Sequence, residues 1–162
     1  MRRSGLLTWL LAALAVVLAG LAALLFVRAD RAAEQVSDAA RDEVARAAAD
    51  TAVALLTYTP ETVAADQYAA AQRLTGDFRE RYGTLTDEIL VPTARDRKVT
   101  STASVTGTGV SRLDGDRADA LVFLTQVTST EAAPAPVSVP VGARVGLTRV
   151  GDSWLVSGFE TH

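Results

Sequence analysis

The chain opens with an uncharged apolar run that is long enough to cross a lipid bilayer. The 22 residues from Leu6 to Val27 include no charged side chain. An α-helix rises about 1.5 Å per residue, so this run spans roughly 33 Å, against roughly 30 Å for the hydrocarbon core of a membrane. A cleaved signal peptide is the alternative, but its apolar core is usually about 7–15 residues long. The sequence therefore predicts a transmembrane helix at residues 6–27.

The charges on either side of this run bear on its orientation. Lys and Arg favour the cytoplasmic side, and they are nearly balanced here, with residues 2 and 3 before the run and Arg28 and Arg31 soon after it. The short tail of residues 1–5 can remain in the cytoplasm while the long remainder is exported. We therefore expect a single-pass protein of the cell membrane whose C-terminal domain lies outside the cytoplasm.

The part after the run is mildly acidic and lacks the side chains of most metal sites. It holds all 19 acidic residues and 14 of the 16 basic ones, a charge of about −5, which argues against nucleic acid as a partner. The chain has no Cys, so disulfides and thiolate metal sites are excluded. Its one histidine, His162, is the last residue, and chain ends are poor places for catalytic groups. We expect no catalytic residue, no metal and no cofactor.

Helical spacing dominates the next part of the chain. Small and apolar residues recur every three or four positions from Val36 to Leu55, which predicts one long juxtamembrane helix over residues 28–58. Thr59 disfavours the helical conformation because Pro60 follows it, so the helix should end there.

Two shorter helices are expected after this point. The first covers about Thr62 to Leu74, with Tyr68 or Gln67 on its apolar side, and Gly76 is placed to close it in the left-handed conformation. The next begins at Asp77, and its apolar side is Phe78, Tyr82, Leu85 and Ile89.

From Val99 the apolar period changes from 3.6 residues to two. A first strand is predicted up to about Val110, and the turn Asp114-Gly115-Asp116 leads into a second strand at about residues 117–130. The centre of the second strand, residues 120–124, is entirely apolar, which predicts burial on both faces.

Two more strands complete the predicted sheet. The third, Val137 to Val150, alternates with period two, and Pro140 within it marks an edge or a bulge. The last covers residues 153–160. Helices collected before an antiparallel sheet predict an α+β domain, completed by residues 59–162, with helices covering one face of the sheet.

Four aromatic residues are candidates for lining a pocket between helices and sheet: Tyr58, Tyr68, Tyr82 and Trp154. With Asp66, the tyrosines would imitate the acid groups of some cone-shaped α+β isomerases, although aromatic residues at helical spacing are more typical of a core. A short basic cluster, Arg95, Arg97 and Lys98, is interrupted by Asp96. A solvated loop surface is the preferred interpretation, and contact with an acidic partner or lipid headgroups is the alternative.

Several stretches of the chain resemble the Mce-associated membrane proteins of actinobacteria. The resemblance runs from the apolar run to about Ser157. It is carried by Leu55-Leu56-Thr57-Tyr58, Asp66, Leu74-Thr75-Gly76-Asp77-Phe78, Tyr82, Lys98-Val99, the strand Leu121-Val122-Phe123-Leu124-Thr125-Gln126-Val127, and Trp154-Leu155-Val156-Ser157.

This resemblance implies a fold similar to nuclear transport factor 2 (NTF2), a curved sheet of about four strands wrapped by two or three helices into a cone. It also implies a non-catalytic accessory protein that contacts subunits of a lipid transporter of the mammalian-cell-entry (Mce) type in the cell envelope. Two alternatives stay open, because a fold alone does not give a function. One is a lipid- or steroid-binding module that uses the cone as a pocket, and the other is a secretion-apparatus scaffold of VirB8-like type.

Overall fold

The computed structural model describes residues 38–162, and the expected membrane span at residues 6–27 lies outside them. Helix α1 is described over residues 38–56. It is followed by α2 (Val63–Ala71), α3 (Gly76–Leu85), a π-helix (Thr86–Leu90) and α4 (Val91–Asp96). Within this described part, no helix is both long and apolar enough to cross a membrane.

Four antiparallel strands follow the helices and pair in chain order. They are β1 (Thr100–Asp114), β2 (Arg117–Ser129), β3 (Val137–Val150) and β4 (Ser153–Thr161), in the order β1-β2-β3-β4. Gly115 and Gly151 close the first and last hairpins with φ of +56° and +62°, a conformation that residues with a Cβ rarely adopt. The predicted α+β fold, with helices packed on an antiparallel sheet of four strands, is confirmed.

The core lies between α1 and one face of the sheet, here called the inner face. From α1 it takes Val44, Ala48, Ala52 and Leu55, and from β2 and β3 it takes Ala118, Ala120, Val122, Leu124, Ala143, Val145 and Leu147. The expectation that the centre of β2 is buried on both faces is wrong. Leu121 and Phe123 point to the opposite, outer face and are 40% and 54% exposed, because no described helix covers that side.

Helix α2 bridges the two edges of the sheet. Before it, Tyr58 pairs with Ser101 of β1 through two backbone hydrogen bonds of 2.9 Å. After it, the backbone on either side of Leu74 makes two bonds of 2.9 Å with Val156 of β4. The nine residues of α2 extend about 13.5 Å, which matches the roughly 14 Å across four strands.

The predicted third helix has a different course from the one expected. It changes from α to π at Thr86, where the Val91 N–H bonds to the Thr86 carbonyl five residues back, and it restarts as α4 at Val91 and Pro92. A π-turn holds more residues than an α-turn, so it rotates the apolar stripe. Leu85 and Ile89 therefore face solvent at 52% and 57% exposure, contrary to the prediction, while Thr86 is buried.

Pro140 lies on an open edge, one of the two positions that the sequence predicts for it. β4 pairs with β3 only from Ala143 onward, so the first residues of β3 have β2 on one side and no described strand on the other. Val137 and Val139 share the inner-face register with Val145, yet they are 59% and 49% exposed. The helices therefore cover the inner face of β3 around Val145 but leave it open at Val137 and Val139.

Candidate functional site

Tyr82 lies in a polar contact that joins three helices. Its hydroxyl donates a hydrogen bond to Oε1 of Gln67, and Nε2 of this fully buried glutamine donates to the Leu55 carbonyl at 3.5 Å. Burial raises the pKa of Tyr82 to about 12. At neutral pH the phenol is therefore protonated, and its visible role is to satisfy the amide of Gln67 in the core.

Of the other three candidate aromatic residues, Tyr58 lies near this contact, since its charge adds to the effect of burial in raising the pKa of Tyr82. Tyr58 is half-buried beside β1, where burial raises the pKa of its phenol. Tyr68 is 72% exposed on α2, so Gln67 and not Tyr68 occupies the buried side of that helix. Trp154 is 7% exposed on β4, with the Arg149 guanidinium carbon 5.9 Å from its ring centroid. A shared pocket for the four remains a prediction.

An open cleft of about 660 Å³ runs between α1 and α2. Its lining residues are Asp50, Val53, Ala54, Thr57, Asp66, Ala69, Ala70 and Arg73, which include none of the four aromatic candidates. Asp66 accepts a hydrogen bond from the Thr62 hydroxyl at 2.6 Å, which accounts for its position at the first turn of α2. Across residues 38–162, no group of three His, Cys, Asp or Glu side chains could hold a metal ion.

The outer face of the sheet exposes an apolar surface that the sequence did not predict. Phe123 pairs across the strands with Gly107 on one side and Gly142 on the other. A Cβ added at Gly142 would lie 3.7 Å from Cε1 of Phe123, so the ring lies over bare backbone. Leu121 continues the surface, and its partner in β1 is Gly109. We call Leu121, Phe123 and these three glycines the outer patch.

The outer patch has the composition of an interaction surface. A shallow hollow of about 420 Å³ lies at it, lined by residues 107–111 together with Leu121 and Phe123. Beside it in the sheet, Arg144 pairs with Leu121 on one side and with Glu160 on the other. An exposed aromatic side chain with charged residues at its rim is typical of the centre of a protein–protein contact. In the sequence, this surface is indicated by the glycines of β1 and β3 that pair with the apolar centre of β2.

Solved structures with the same fold come from secretion systems and from an NTF2-like protein. An IcmL-like type IV secretion system protein of Legionella pneumophila matches 75% of this chain and 91% of its own, with a TM-score of 0.64 at 16% identity. The VirB8 protein of Agrobacterium tumefaciens matches 75% of this chain and 90% of its own, with a TM-score of 0.59 at 9% sequence identity. An NTF2-like protein with a cystatin-like fold from Novosphingobium aromaticivorans matches 80% of this chain and 85% of its own, with a TM-score of 0.55 at 15% sequence identity. The NTF2-like cone predicted from the sequence is confirmed.

Curated relatives come from Mycobacterium tuberculosis, and no family model matches the chain. The uncharacterized protein Rv1362c is 38% identical over 123 residues, which are 76% of this chain and 56% of the relative. The outer membrane protein Rv1973 is 38% identical over 121 residues, which are 75% of each chain. At that identity and coverage, the chain belongs to the same family as the outer membrane protein Rv1973 of Mycobacterium tuberculosis.

Proposed function

We propose that this protein is a non-catalytic accessory protein of the cell envelope that binds partner subunits through its outer patch. The observation that carries the proposal is Phe123, an aromatic side chain left 54% exposed at the centre of a sheet. Leaving such a ring in water costs free energy that burial against a partner recovers, at about 25 cal/mol per Å² of apolar surface. Aromatic residues are also the commonest anchors of protein contacts.

The proposed complex is a lipid transporter of the Mce type. The resemblance to Mce-associated membrane proteins supports it, as does the mycobacterial source of the 38%-identical relatives. Residues 6–27 would anchor the chain as a single-pass protein, residues 1–5 would stay in the cytoplasm, and the helix of residues 28–58 would lead into the exported domain. The anchor would keep the outer patch close to membrane-bound subunits.

A non-catalytic role is supported by the state of the groups best placed for proton transfer. Tyr82 bonds to a buried amide, and its pKa of about 12 keeps the phenol neutral, whereas a general acid or base works best with a pKa near the operating pH. Asp66 lies in an open cleft and is held by Thr62. Nothing in these contacts polarises a substrate carbonyl.

A secretion-apparatus scaffold is the second candidate function. Its support is the fold shared with the IcmL-like protein and with VirB8, at TM-scores of 0.64 and 0.59. Both candidates use the domain to hold partners, and they differ in which partners these are. The lipid-binding alternative has less support, because the inner face of the sheet is filled by side chains such as Val122, Leu124 and Val145.

Co-purification tests the proposed function. The full-length chain is expressed in a mycobacterium, extracted in mild detergent and captured, and Mce-type and secretion-type subunits are quantified by mass spectrometry. We expect Mce-type subunits with the parent chain and at least a tenfold loss with Phe123→Ser or Leu121→Ser. Val150→Ser is the matched control, since Val150 is 48% exposed at the far end of β3.

Two results would overturn parts of this proposal. Equal recovery of Mce-type subunits with Phe123→Ser and Val150→Ser, at normal protein level, would remove the outer patch from the contact. Recovery of secretion-type subunits in place of Mce-type ones would favour the second candidate.

A further inference from the structure

A proline-rich segment at one end of the sheet is exposed along its whole length. Residues 131–140, here called the proline segment, are all exposed and form the loop before β3 and the start of that strand. Glu131 is its one charged residue, and nearly all the others are small and apolar: Ala132, Ala133, Pro134, Ala135, Pro136, Val137, Val139 and Pro140. Eight exposed apolar residues so close together form a surface that is typical of a binding site.

The proline segment is held in place at both ends. At its start, Thr130 and Ala133 exchange backbone hydrogen bonds of 3.1 and 3.2 Å, and the Thr130 hydroxyl accepts a further bond of 3.1 Å from the Ala133 N–H. At its end, Val137 and Val139 pair with β2. Pro134 and Pro136 fix φ between these points, and Pro140 fixes it just beyond them. A partner would therefore bind a segment that is already ordered, at a small cost in conformational entropy.

The prolines also determine the mode of recognition. The open edge of β3 would otherwise accept an added strand, but Pro140 within it has no N–H to donate, and neither do Pro134 and Pro136 in the loop before it. Natural sheets use proline at an edge to prevent such pairing. A partner must therefore bind the side chains of this extended, proline-containing segment. Proteins bind such segments in apolar grooves lined by aromatic residues.

A basic cluster lies at the base of the proline segment. The Glu131 N–H donates to the Arg97 carbonyl at 3.1 Å, and residues on both sides line a common hollow of about 410 Å³. Arg95, Arg97 and Lys98 are all exposed, and so are Asp96 between them and Glu131 across the hollow, so three basic and two acidic side chains leave one net positive charge. Lys98 has φ of +54°, a conformation that ends α4 and usually takes glycine.

We propose that the proline segment and this basic cluster form one docking surface for a partner protein with an apolar groove and an acidic rim. The inference rests on the partner-binding function proposed above, and it uses residues distinct from the outer patch. The complementary rim follows from the basic cluster, since positive patches meet negative ones in protein contacts. A lipid surface fits less well, because the segment lacks the Trp, Phe and Leu side chains with which proteins enter a membrane interface.

Photo-crosslinking in the cell tests this surface with the full-length chain. A photoreactive amino acid is placed at Val139 and, as the matched control, at Val150 on the same strand, where exposures are 49% and 48%. We expect Val139 to give one crosslinked protein that mass spectrometry identifies, and Val150 to give at least tenfold less of it. The identified protein is then purified, and its affinity for the full-length chain is measured at low and high salt.

The docking surface predicts the behaviour of that purified pair. Pro134→Gly with Pro136→Gly, and separately Arg95→Glu with Arg97→Glu, should each weaken binding at least tenfold, and salt should weaken it further. Equal crosslinking from Val139 and Val150, no crosslinked protein, or undiminished binding by both double variants would overturn the inference. Crosslinks to lipid, with binding to phosphatidylcholine vesicles that contain phosphatidylglycerol, would overturn it in favour of a membrane.

The two proposals fail in different ways. If Phe123→Ser disrupts the envelope complex while the proline and arginine variants leave it intact, the docking surface is wrong and the proposed function stands. If the chain captures no envelope subunits in either experiment, the partner-binding function itself is wrong.

Discussion

Trp154→Ala should remove a large part of the stability of the domain. The side chain is 7% exposed on β4, so it buries about 200 Å², and at about 25 cal/mol per Å² this burial contributes about 5 kcal/mol. Alanine retains a small share, which gives an expected loss of about 3–5 kcal/mol. Among the described residues, Nε1 of Trp154 has no hydrogen-bond partner, so the loss comes from packing and not from a broken hydrogen bond.

Urea unfolding of the fragment from Arg28 onward, followed by far-UV circular dichroism, measures this loss. A slope of about 2 kcal/mol per M converts it to a midpoint lower by about 2 M. Trp154→Phe is the matched control: it keeps most of the ring and removes the unpaired N–H, whose burial costs about 1–3 kcal/mol. We expect it to lose less than about 2 kcal/mol. A Trp154→Ala loss below about 1 kcal/mol, or a larger loss for phenylalanine than for alanine, would refute the reasoning.

Three further predictions concern charge, backbone conformation and topology. Tyr82 has a folded pKa of about 12 against 10 in the unfolded chain, so its contribution to stability is complete below pH 10 and is lost as pH rises towards 12; urea midpoints across this range should fall less for Tyr82→Phe than for the parent. Lys98→Gly should raise the free energy of unfolding by about 1 kcal/mol, since glycine adopts the positive φ without strain, and an unchanged urea midpoint would contradict this. A reporter that is active only outside the cytoplasm, fused after His162, should be active in cells, whereas activity of a cytoplasmic reporter there would reverse the proposed topology.

The strands were predictable from the sequence because local signals define their ends. Gly115 and Gly151 mark the two hairpin turns, and both adopt the positive φ that such turns require. Period-two alternation then places β3 at Val137–Val150, as observed. Alternation also places Val137 and Val139 on the inner-face register, but it does not show where the helices stop covering that face.

The outer patch was missed because burial depends on what packs against a strand. Residues 120–124 are all apolar, and this composition suits a strand covered on both sides. In the structure Val122 is fully buried while Phe123 is 54% exposed, so one face meets helices and the other is open. The π-turn at Thr86 was missed for a similar reason, since the apolar spacing up to Leu85 and Ile89 is that of a continuous α-helix.

The bridge that α2 makes between the sheet edges has a consequence for how the domain folds. Tyr58 and Leu74 can pair at both ends of α2 only when β1 and β4 are already in place at the two edges of the four-stranded sheet. The helix itself has nine residues, too few to be stable alone in water. We therefore expect α2 to dock late, after the complete meander has formed. If one edge of the sheet opens, α2 loses its pairing there and is held only at the opposite edge. Both edges and α2 should therefore open and close as a single cooperative unit.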